Sequence, residues 1–363
     1  MNRRLYTAYA ETPALRASLA AWDEGITREG PLRHHAWTFF ALWPAARSAT
    51  VADSTAIEGN PLTIEQVADA LDGSRVAASD HAIREVVNYN AALDLAHRTA
   101  LRPRFRWTDE LLRRINAIVM SGLPNDERGE YRSEPVTVAG AYRPPEAADV
   151  PGLVDELIEW LREDDSHPLL RAGLVHLNVV SIHPWLDGNG RTARVCGGLA
   201  LMRSGLDAPE LLNIEAELRA DREGYFGSLL ASQGQSFDPE NHSATPWLEH
   251  YTAAAVRRIE REARVLAATP ADLGVIALAL AGRGEPLEWT PILLAARLGP
   301  LRTTRLASML DRSRPQVRSV LARMARSGWL IAEGERRGRR YRAGARLLAL
   351  DLRLPALMAE PPR

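Results

Sequence analysis

One stretch of twelve residues constrains the fold of this chain more than any other. HPWLDGNGRTAR, residues 183–194, follows LLRAGLVHLNVVSI and leads into RTARVCGGLALM, and both flanking segments have the pattern of helices. Within the stretch, Asp187, Gly188, Asn189 and Gly190 are turn-forming residues, and glycine lets the backbone adopt positive φ. The pattern predicts two helices joined by a tight polar loop.

Most of the remaining chain also has helical periodicity. AIREVVNYNAALDLAHR repeats apolar side chains close to every 3.6 residues, with Asp80 as its predicted N-cap. TDELLRRINAIVMSG begins at a capping Thr108 and ends at Gly122. VPGLVDELIEWLRED and TPWLEHYTAAAVRRIEREARVL continue the pattern. The sequence therefore predicts a mainly α fold.

One segment departs from the helical pattern. YRSEPVTVAGAYRPPEAADV, residues 131–150, is β-rich around Val136 and Val138, turns at Ala139-Gly140 and is closed by two prolines. We expect a short β-hairpin over residues 131–145. Because a two-stranded hairpin is marginally stable on its own, it should lie against another part of the protein, such as an active site.

Composition narrows the class of protein. Hydrophobic residues make up 46% of the 363 residues and charged residues 25%, enough for two or three globular domains. The sequence has no lysine, which excludes P-loop, Schiff-base and kinase-type lysine chemistry. A single cysteine, Cys196, excludes an internal disulfide and fits a reducing compartment. With no secretory signal and no apolar stretch of membrane-spanning length, we expect a cytoplasmic protein.

The C-terminal part of the chain has a different charge balance. Residues 301–346 contain 13 arginines against 3 acidic residues, a net charge of +10, although the whole chain carries -1. The same region has the pattern of a helix, a turn, a second helix and two short strands, with Ser313 as the predicted cap of the second helix. This order predicts a winged-helix domain over residues 270–350. Its basic face suits either duplex DNA or a protein-interaction or dimerisation role. Candidate groove-facing residues are Arg314, Gln316 and Arg318, with Arg336 to Arg340 in the wing.

The loop at residues 183–194 combines groups suited to phosphate chemistry. A helix that starts after the loop offers free backbone N–H groups, which form an anion site. Arg191 and Arg194 lie three residues apart and share a helical face, while Asp187 is a hard oxygen ligand suited to Mg²⁺. His183 is the side chain of the loop whose ordinary pKa lies near neutrality. A calcium loop is excluded because its required ligand and glycine positions are not filled, which leaves a purely structural helix start as the alternative.

The stretch resembles the signature of the Fic domain family, His-Pro-Phe-x-Asp-Gly-Asn-Gly-Arg-x-x-Arg, at every specified position except that Trp185 replaces the phenylalanine. Fic proteins are mainly helical and typically transfer AMP from Mg-ATP to a protein hydroxyl. The resemblance implies that His183 is the general base on a target Ser, Thr or Tyr and that Asp187 is the Mg²⁺ ligand. It further implies nucleotide-binding residues: Gly188, Asn189 and Gly190 in the anion hole, Arg191 on the β-phosphate and Arg194 on the γ-phosphate. Of these, Asn189 and Arg191 are also catalytic candidates.

A second motif lies earlier in the chain. In DSTAIEGNPLT, Ser54 and Glu58 are four residues apart on one face of a short helix that Gly59 can end. Considered without any other motif, Glu58 would be interpreted as a charged residue on the solvent-exposed face of a helix. The stretch resembles the inhibitory motif of the Fic family, Ser/Thr-x-x-x-Glu-Gly/Asn, which implies that Glu58 pairs with Arg194 and takes the place of the γ-phosphate.

Two further segments match the family more loosely. The hairpin at residues 131–145 resembles the flap that holds the target segment by strand addition, with Val136, Val138 and Tyr142 as docking residues; an ordinary surface hairpin is the alternative. ADREGYFGSLL resembles the helix that borders the adenine, which implies a nucleotide contact from Tyr225, although a core tyrosine would look the same.

Together these observations predict a Fic-type helical bundle with a small β-hairpin flap and a C-terminal winged helix. We interpret the chain as an autoinhibited protein adenylyltransferase that uses ATP and Mg²⁺. Its expected partner is a protein target, which includes the chain itself as a candidate. We expect no membrane partner, and the sequence leaves open whether the chain forms a homodimer. One alternative is a bifunctional or de-AMPylating enzyme that uses Glu58. The other is a DNA-binding regulator whose Fic domain senses nucleotide. The predicted divisions are an N-terminal helical region with the inhibitory helix at 1–105, the catalytic core at 106–268, the winged helix at 270–350 and a tail at 351–363.

Overall fold

The computed structural model describes residues 4–28, 36–138, 140–206, 212–334 and 339–360. Over these residues the chain is mainly helical, which confirms the predicted fold class. The helices are α1 (Pro13–Arg28), α2 (Ala36–Ile57), α3 (Ile64–Leu71), α4 (Asp80–Ala100), α5 (Asp109–Met120), α6 (Val150–Glu163), α7 (Pro168–Ile182), α8 (Asn189–Arg203), α9 (Ile214–Ala220), α10 (Arg222–Gln233), α11 (Thr245–Ala281), α12 (Thr290–Leu298), α13 (Thr303–Met309), α14 (Arg314–Arg326), α15 (Ala345–Leu348) and α16 (Leu354–Ala359). The strands of the one sheet in the described ranges are β1 (Leu330–Glu333) and β2 (Arg340–Ala343).

The chain packs as two compact units, each with its own core. The first unit comprises Met1–Leu32, Thr50–Leu62 and Ala78–Ile259. The second comprises Arg33–Ala49, Thr63–Ala77 and Glu260–Arg363. The sequence places a domain boundary at residues 268–270, and that position falls inside helix α11, which continues through Pro270.

Helices α7 and α8 form the centre of the first unit. Their side chains are buried along most of both lengths, and α4 and α5 pack against α8. Pro168 occupies the first turn of α7, where its missing N–H costs no hydrogen bond. The two helices are therefore held rigidly on either side of the loop that joins them, as the sequence predicts.

Side-chain caps fix where several helices begin. The predicted cap of α5 is confirmed, since the Leu111 N–H donates to the Thr108 hydroxyl at 3.2 Å. The predicted cap of α4 is wrong by one residue: the Ala82 N–H donates to the Ser79 hydroxyl at 3.2 Å, and Asp80 lies in the first turn. At that position the Asp80 carboxylate still interacts favourably with the helix dipole.

The segment predicted to be a hairpin forms far less sheet than expected. Val138 and Tyr142 make one isolated antiparallel bridge, with the Val138 N–H donating to the Tyr142 carbonyl at 2.8 Å. The next residue, Arg143, donates its N–H to the Gln235 carbonyl at 3.0 Å, so the returning chain pairs with a segment distant in sequence. The prolines that follow Arg143 lack the N–H groups needed to extend the hairpin.

The second unit contains a helix-turn-helix and a two-stranded sheet. Helices α13 and α14 are followed by β1 and β2, which pair antiparallel with Leu330 opposite Ala343. The predicted cap of α14 is confirmed, because Ser313 and Gln316 form a reciprocal capping box. This order of elements is the one predicted for a winged helix, and that assignment stays a prediction.

The acidic helix α3 belongs to the second unit and neutralises part of its basic surface. The pairs are Glu65 with Arg342, Asp69 with Arg340 at 2.8 Å, and Asp72 with Arg302 at 3.3 Å. Several arginines that the sequence leaves free for a polyanion are therefore already paired within the unit. Arg336 and Arg337, also predicted to lie in the wing, fall outside the described residues.

Helix α11 is longer and more apolar than the sequence analysis expected. By length and composition alone it could cross a membrane, since it contains an 18-residue window of mean hydropathy 1.6, of which 39% is buried. A core helix has the same composition. Asp272 in this helix is buried and accepts the backbone N–H of Leu354 at 2.9 Å, a contact typical of a helix packed against its own chain.

Candidate functional site

The loop between α7 and α8 is fixed by its own backbone geometry and by two amide side chains. His183 ends α7 in the left-handed region with φ 50°, and Gly188 precedes α8 with φ 77°. The Asn189 amide accepts the Trp185 N–H at 3.1 Å and donates to the Trp185 carbonyl at 2.8 Å. From α5, the Asn116 amide donates to the carbonyl of Asp187 at 3.0 Å. The Asn189 side chain thus stabilises the loop through hydrogen bonds within it. Because these bonds use the side chain, the backbone N–H groups at the start of α8 stay available to an anion.

The tryptophan that departs from the Fic signature has a specific partner. Its ring is buried, and its indole N–H donates to the Gly129 carbonyl at 3.0 Å, a bond that phenylalanine could not make. The Tyr131 ring packs beside it at 5.9 Å between centroids. Trp185 therefore ties the loop to the segment that leads into the flap.

The predicted general base is held in a defined tautomer. The Nδ1 atom of His183 lies 3.3 Å from the Val180 carbonyl, which can only accept, so the neutral imidazole carries its proton on Nδ1. Its Nε2 atom keeps a lone pair that can accept a proton from a substrate. Burial lowers the pKa of His183 to about 4, which keeps the imidazole neutral at physiological pH.

Arg132 fixes the backbone of His183, and the sequence did not predict this role. This arginine is buried and donates from Nε to the His183 carbonyl at 2.8 Å. Its other nitrogens donate to the carbonyls of Glu134 at 3.0 Å and Pro145 at 2.5 Å, one on each arm of the flap. No local pattern marks this role, because the partners lie up to 51 residues away in sequence.

The two loop arginines are both buried, and each contacts a carboxylate. Arg191 binds Glu85 of α4, with 2.8 Å between Nη1 and Oε1, and Asp187, with 3.2 Å between Nη2 and Oδ1. The Nε atom of Arg191 has no hydrogen-bond partner among the described residues. Glu85 was missed because a glutamate on an amphipathic helix usually faces solvent, whereas this one lies on the buried face that includes Tyr89.

Arg194 contacts both polar residues of the predicted inhibitory motif. Its Nε donates to the Ser54 hydroxyl at 2.7 Å, and its Nη2 donates to the Ser54 carbonyl at 3.0 Å. The same Nη2 lies 2.7 Å from the Glu58 carboxylate, which keeps one-third of its surface exposed. Burial opposes ionisation of Glu58, but the attraction of Arg194, reinforced by Arg191, outweighs it and lowers the pKa of Glu58.

The Glu58 carboxylate also lies over the glycine loop. A Cβ atom added to Gly190 would come within 2.6 Å of the Glu58 Oε1 atom. An anion therefore already occupies the approach to the start of α8. The helix that presents Glu58 is the 22-residue α2 rather than the short helix expected, and Gly59 follows its end with φ 97°, a conformation that favours glycine.

Tyr225 lies in this cluster, but not as an exposed ring. It is buried, with its hydroxyl 3.5 Å from Arg194 Nη1 and 3.2 Å from His176 Nε2, and burial raises its pKa to about 12. The neighbouring aromatic side chain, Phe226, is 40% exposed and stacks with Arg222 at 4.8 Å. Of this pair, Phe226 has the solvent-exposed ring.

The three predicted flap residues are divided between the surface and the core. Val136 and Val138 are half-buried. Tyr142 is buried, and its hydroxyl donates to the Ser181 carbonyl of α7 at 2.9 Å. A docked segment could use the valine side chains, whereas the Tyr142 side chain anchors the base of the flap.

Known proteins resemble part of this chain in sequence. Residues 106–201 match the model of the Fic/DOC family. The protein adenylyltransferase Fic of Drosophila willistoni is 34% identical over 158 residues, 42% of this chain and 31% of that protein. Its counterpart in Drosophila mojavensis is 31% identical over the same shares of both chains. The chain thus spans about a third of the length of these curated relatives.

Solved structures extend the similarity beyond the matched region. A Fic family protein from Desulfovibrio desulfuricans is 27% identical with a TM-score of 0.63, covering 93% of this chain and 98% of that one. Fic-1 from C. elegans is 23% identical with a TM-score of 0.57, covering 70% and 72%, and shares the fold. Residues 106–201 of this chain therefore form a Fic domain of the Fic/DOC family.

Proposed function

We propose that this chain is a protein adenylyltransferase held in check by its own α2 helix. One observation carries the proposal: the Glu58 carboxylate lies on Arg194 and over Gly190, where a phosphate of a bound nucleotide would have to lie. The curated relatives are named protein adenylyltransferases, which supports the same activity. A cytoplasmic location also belongs to the proposal and is consistent with the single, buried, free Cys196.

In the proposed reaction, a hydroxyl oxygen of the target attacks the α-phosphorus of ATP. A new P–O bond forms, the bond from the α-phosphorus to the bridging oxygen breaks, and pyrophosphate leaves. The hydroxyl proton passes to Nε2 of His183, the ring nitrogen not occupied by the Val180 carbonyl. Backbone N–H groups at the start of α8 would stabilise charge on the transferring phosphoryl group, so the loop contributes alignment and electrostatics rather than a covalent intermediate.

Asp187 suits a Mg²⁺ ion bound with the nucleotide. Its carboxylate is 47% exposed beside the glycine loop, and Mg²⁺ in such sites takes one or two carboxylates and completes its shell with phosphate and water. The described residues contain no cluster of three or more acidic, histidine or cysteine ligands, so the ion would depend on the nucleotide. When bound, it would neutralise phosphate charge next to Arg191.

The flap would present the target. Val138 and Tyr142 start an antiparallel bridge that an extended segment could lengthen by strand addition, with the half-buried valines as side-chain contacts. Arg132 links both arms of this flap to the His183 carbonyl. A segment added to the flap would therefore be placed relative to the base by one buried side chain.

The test uses wild type, Glu58→Gly and His183→Ala, each incubated with Mg²⁺ and α-labelled ATP in the presence of a cell lysate. We expect Glu58→Gly to label itself or a lysate protein strongly, wild type weakly, and His183→Ala to stay blank. Equal labelling of all three proteins would overturn the mechanism. Incubating each labelled product with wild-type protein then tests the bifunctional alternative, in which Glu58 supports removal of AMP.

A second candidate function concerns the second unit. An open cleft of about 760 Å³ is lined by Arg314, Arg318 and Arg339 and by the paired Arg302 and Asp72. The charge of the first three arginines favours phosphate backbones and supports the DNA-binding alternative. Arg314 and Arg318 are exposed at the start of α14. Binding of labelled duplex DNA at increasing salt is the test: Arg318→Ala should weaken binding and reduce the salt slope by about 1. Absence of binding at low salt would remove this candidate.

A further inference from the structure

The segment that follows Glu58 is anchored as firmly as Glu58 itself. It turns sharply: the N–H groups of Glu58 and Asn60 both donate to the Thr55 carbonyl at 3.1 Å, and Gly59 has φ 97°. After this turn the chain continues into α3, while the Asn60 side chain contacts α4. The Glu58 carboxylate is partly exposed, so its own contact with Arg194 does not by itself determine where the turn lies.

The anchor is the side chain of Asn60, which is buried and fully hydrogen-bonded. Its amide nitrogen donates to the Ala82 carbonyl at 3.0 Å and to the Glu85 Oε2 atom at 2.7 Å. Its amide oxygen accepts the Leu62 N–H at 3.1 Å. Both donors of the amide and its acceptor are thus used, a combination that a carboxylate or an aliphatic side chain cannot reproduce.

Glu85 joins this anchor to the nucleotide site. Its Oε2 atom accepts from Asn60, and its Oε1 atom lies 2.8 Å from Nη1 of Arg191. Glu85 and Arg191 are both buried, so the pair is little screened by solvent. The inhibitory turn is therefore tied to the loop arginines twice, by Glu58 through Arg194 and by Asn60 through Glu85 and Arg191.

We propose that Asn60 is a positioning residue of the inhibitory segment. It keeps Glu58 on Arg194 by fixing the turn at residues 58–60 to Glu85 and Ala82. This inference rests on the proposed adenylyltransferase function. Loss of the Asn60 bonds frees the turn while Glu58 and Arg194 are both still present. A hydrogen bond to a charged group stabilises a structure more than one between neutral groups. Loss of the bond from Asn60 to Glu85 should therefore raise the fraction of protein open to ATP by about tenfold.

The experiment compares the full chain as wild type, Asn60→Ala, Asn60→Asp and Glu58→Gly with α-labelled ATP and Mg²⁺. We expect Asn60→Ala to label about tenfold more than wild type, with a lower apparent KM for ATP. Asn60→Asp should label more still, because its carboxylate would face that of Glu85. In a Glu58→Gly background, Asn60→Ala should add nothing, since the inhibitory contact is already absent; a purely structural role would lower labelling in both backgrounds.

Asn178→Ala is the matched control. Asn178 is also buried, and its amide donates to the carbonyls of Tyr6 and Leu174 at 3.1 and 2.9 Å and accepts the Tyr6 N–H. It should lower the melting temperature without raising labelling. Strong labelling by Glu58→Gly with wild-type labelling by both Asn60 variants would overturn this inference and leave the proposed function standing. A blank Glu58→Gly would overturn both.

Discussion

Replacing Glu58 by glutamine separates the charge of the inhibitory contact from its bulk. Arg194 donates three hydrogen bonds to the inhibitory segment, two to Ser54 at 2.7 and 3.0 Å and one to Glu58 at 2.7 Å. Glu58→Gln keeps an acceptor of the same size and removes the negative charge from the third bond. The bond stays charge-assisted because Arg194 keeps its charge, so what is lost is the Coulomb attraction between the two charges, which partial exposure of Glu58 reduces. We estimate a loss of about 1.4 kcal/mol, or about tenfold.

The assay is a titration of ATP against initial labelling rate for wild type, Glu58→Gln and Glu58→Gly. If only a fraction of wild-type protein is open to ATP, its apparent affinity is reduced by that fraction. Glu58→Gln should therefore show an apparent KM about tenfold below wild type and above that of Glu58→Gly. An apparent KM equal to that of wild type would refute the electrostatic argument, because it would mean that the side chain blocks ATP by its volume alone.

Three further results are expected. Because burial lowers the pKa of His183 to about 4, labelling by Glu58→Gly should stay constant from neutral pH downward and fall only as pH drops toward 4; a fall centred near 6.5 would show an ordinary, solvated base. Gly190→Ala in the Glu58→Gly background should cut labelling at least about tenfold, since a methyl group blocks close approach of phosphate; unchanged labelling would contradict the role of the loop. Trp185→Phe should keep labelling activity but lower the melting temperature by about 2–4 °C, because the Gly129 carbonyl loses its indole donor; an unchanged melting temperature would contradict that bond.

The sequence predicted the parts of the molecule that depend on local chemistry. The glycine loop, the helices on either side of it and the caps at Thr108 and Ser313 all follow from residues adjacent in the chain. The predicted contact of Glu58 with Arg194 spans 136 residues, and it came from resemblance to a family rather than from any local pattern.

What the sequence did not predict depends on distant packing. The flap has less sheet than its β-rich composition suggests, because Arg143 pairs with Gln235 instead of extending the hairpin. Pro270 does not end α11, and Glu85 and Arg132 are buried although their residue types usually face solvent. For Arg143, Glu85 and Arg132 the deciding partner is far away in the chain, so no window of neighbouring residues contains the information.

The burial of Arg194 has a consequence for the thermodynamics of the whole unit. A buried guanidinium needs a counter-charge, so the resting and nucleotide-bound states would differ in which anion it holds rather than in whether it holds one. Nucleotide binding then becomes an exchange of anions. Glu58→Gly removes the resident anion, so without nucleotide this variant should melt below wild type, and ATP should raise its melting temperature by more than it raises that of wild type.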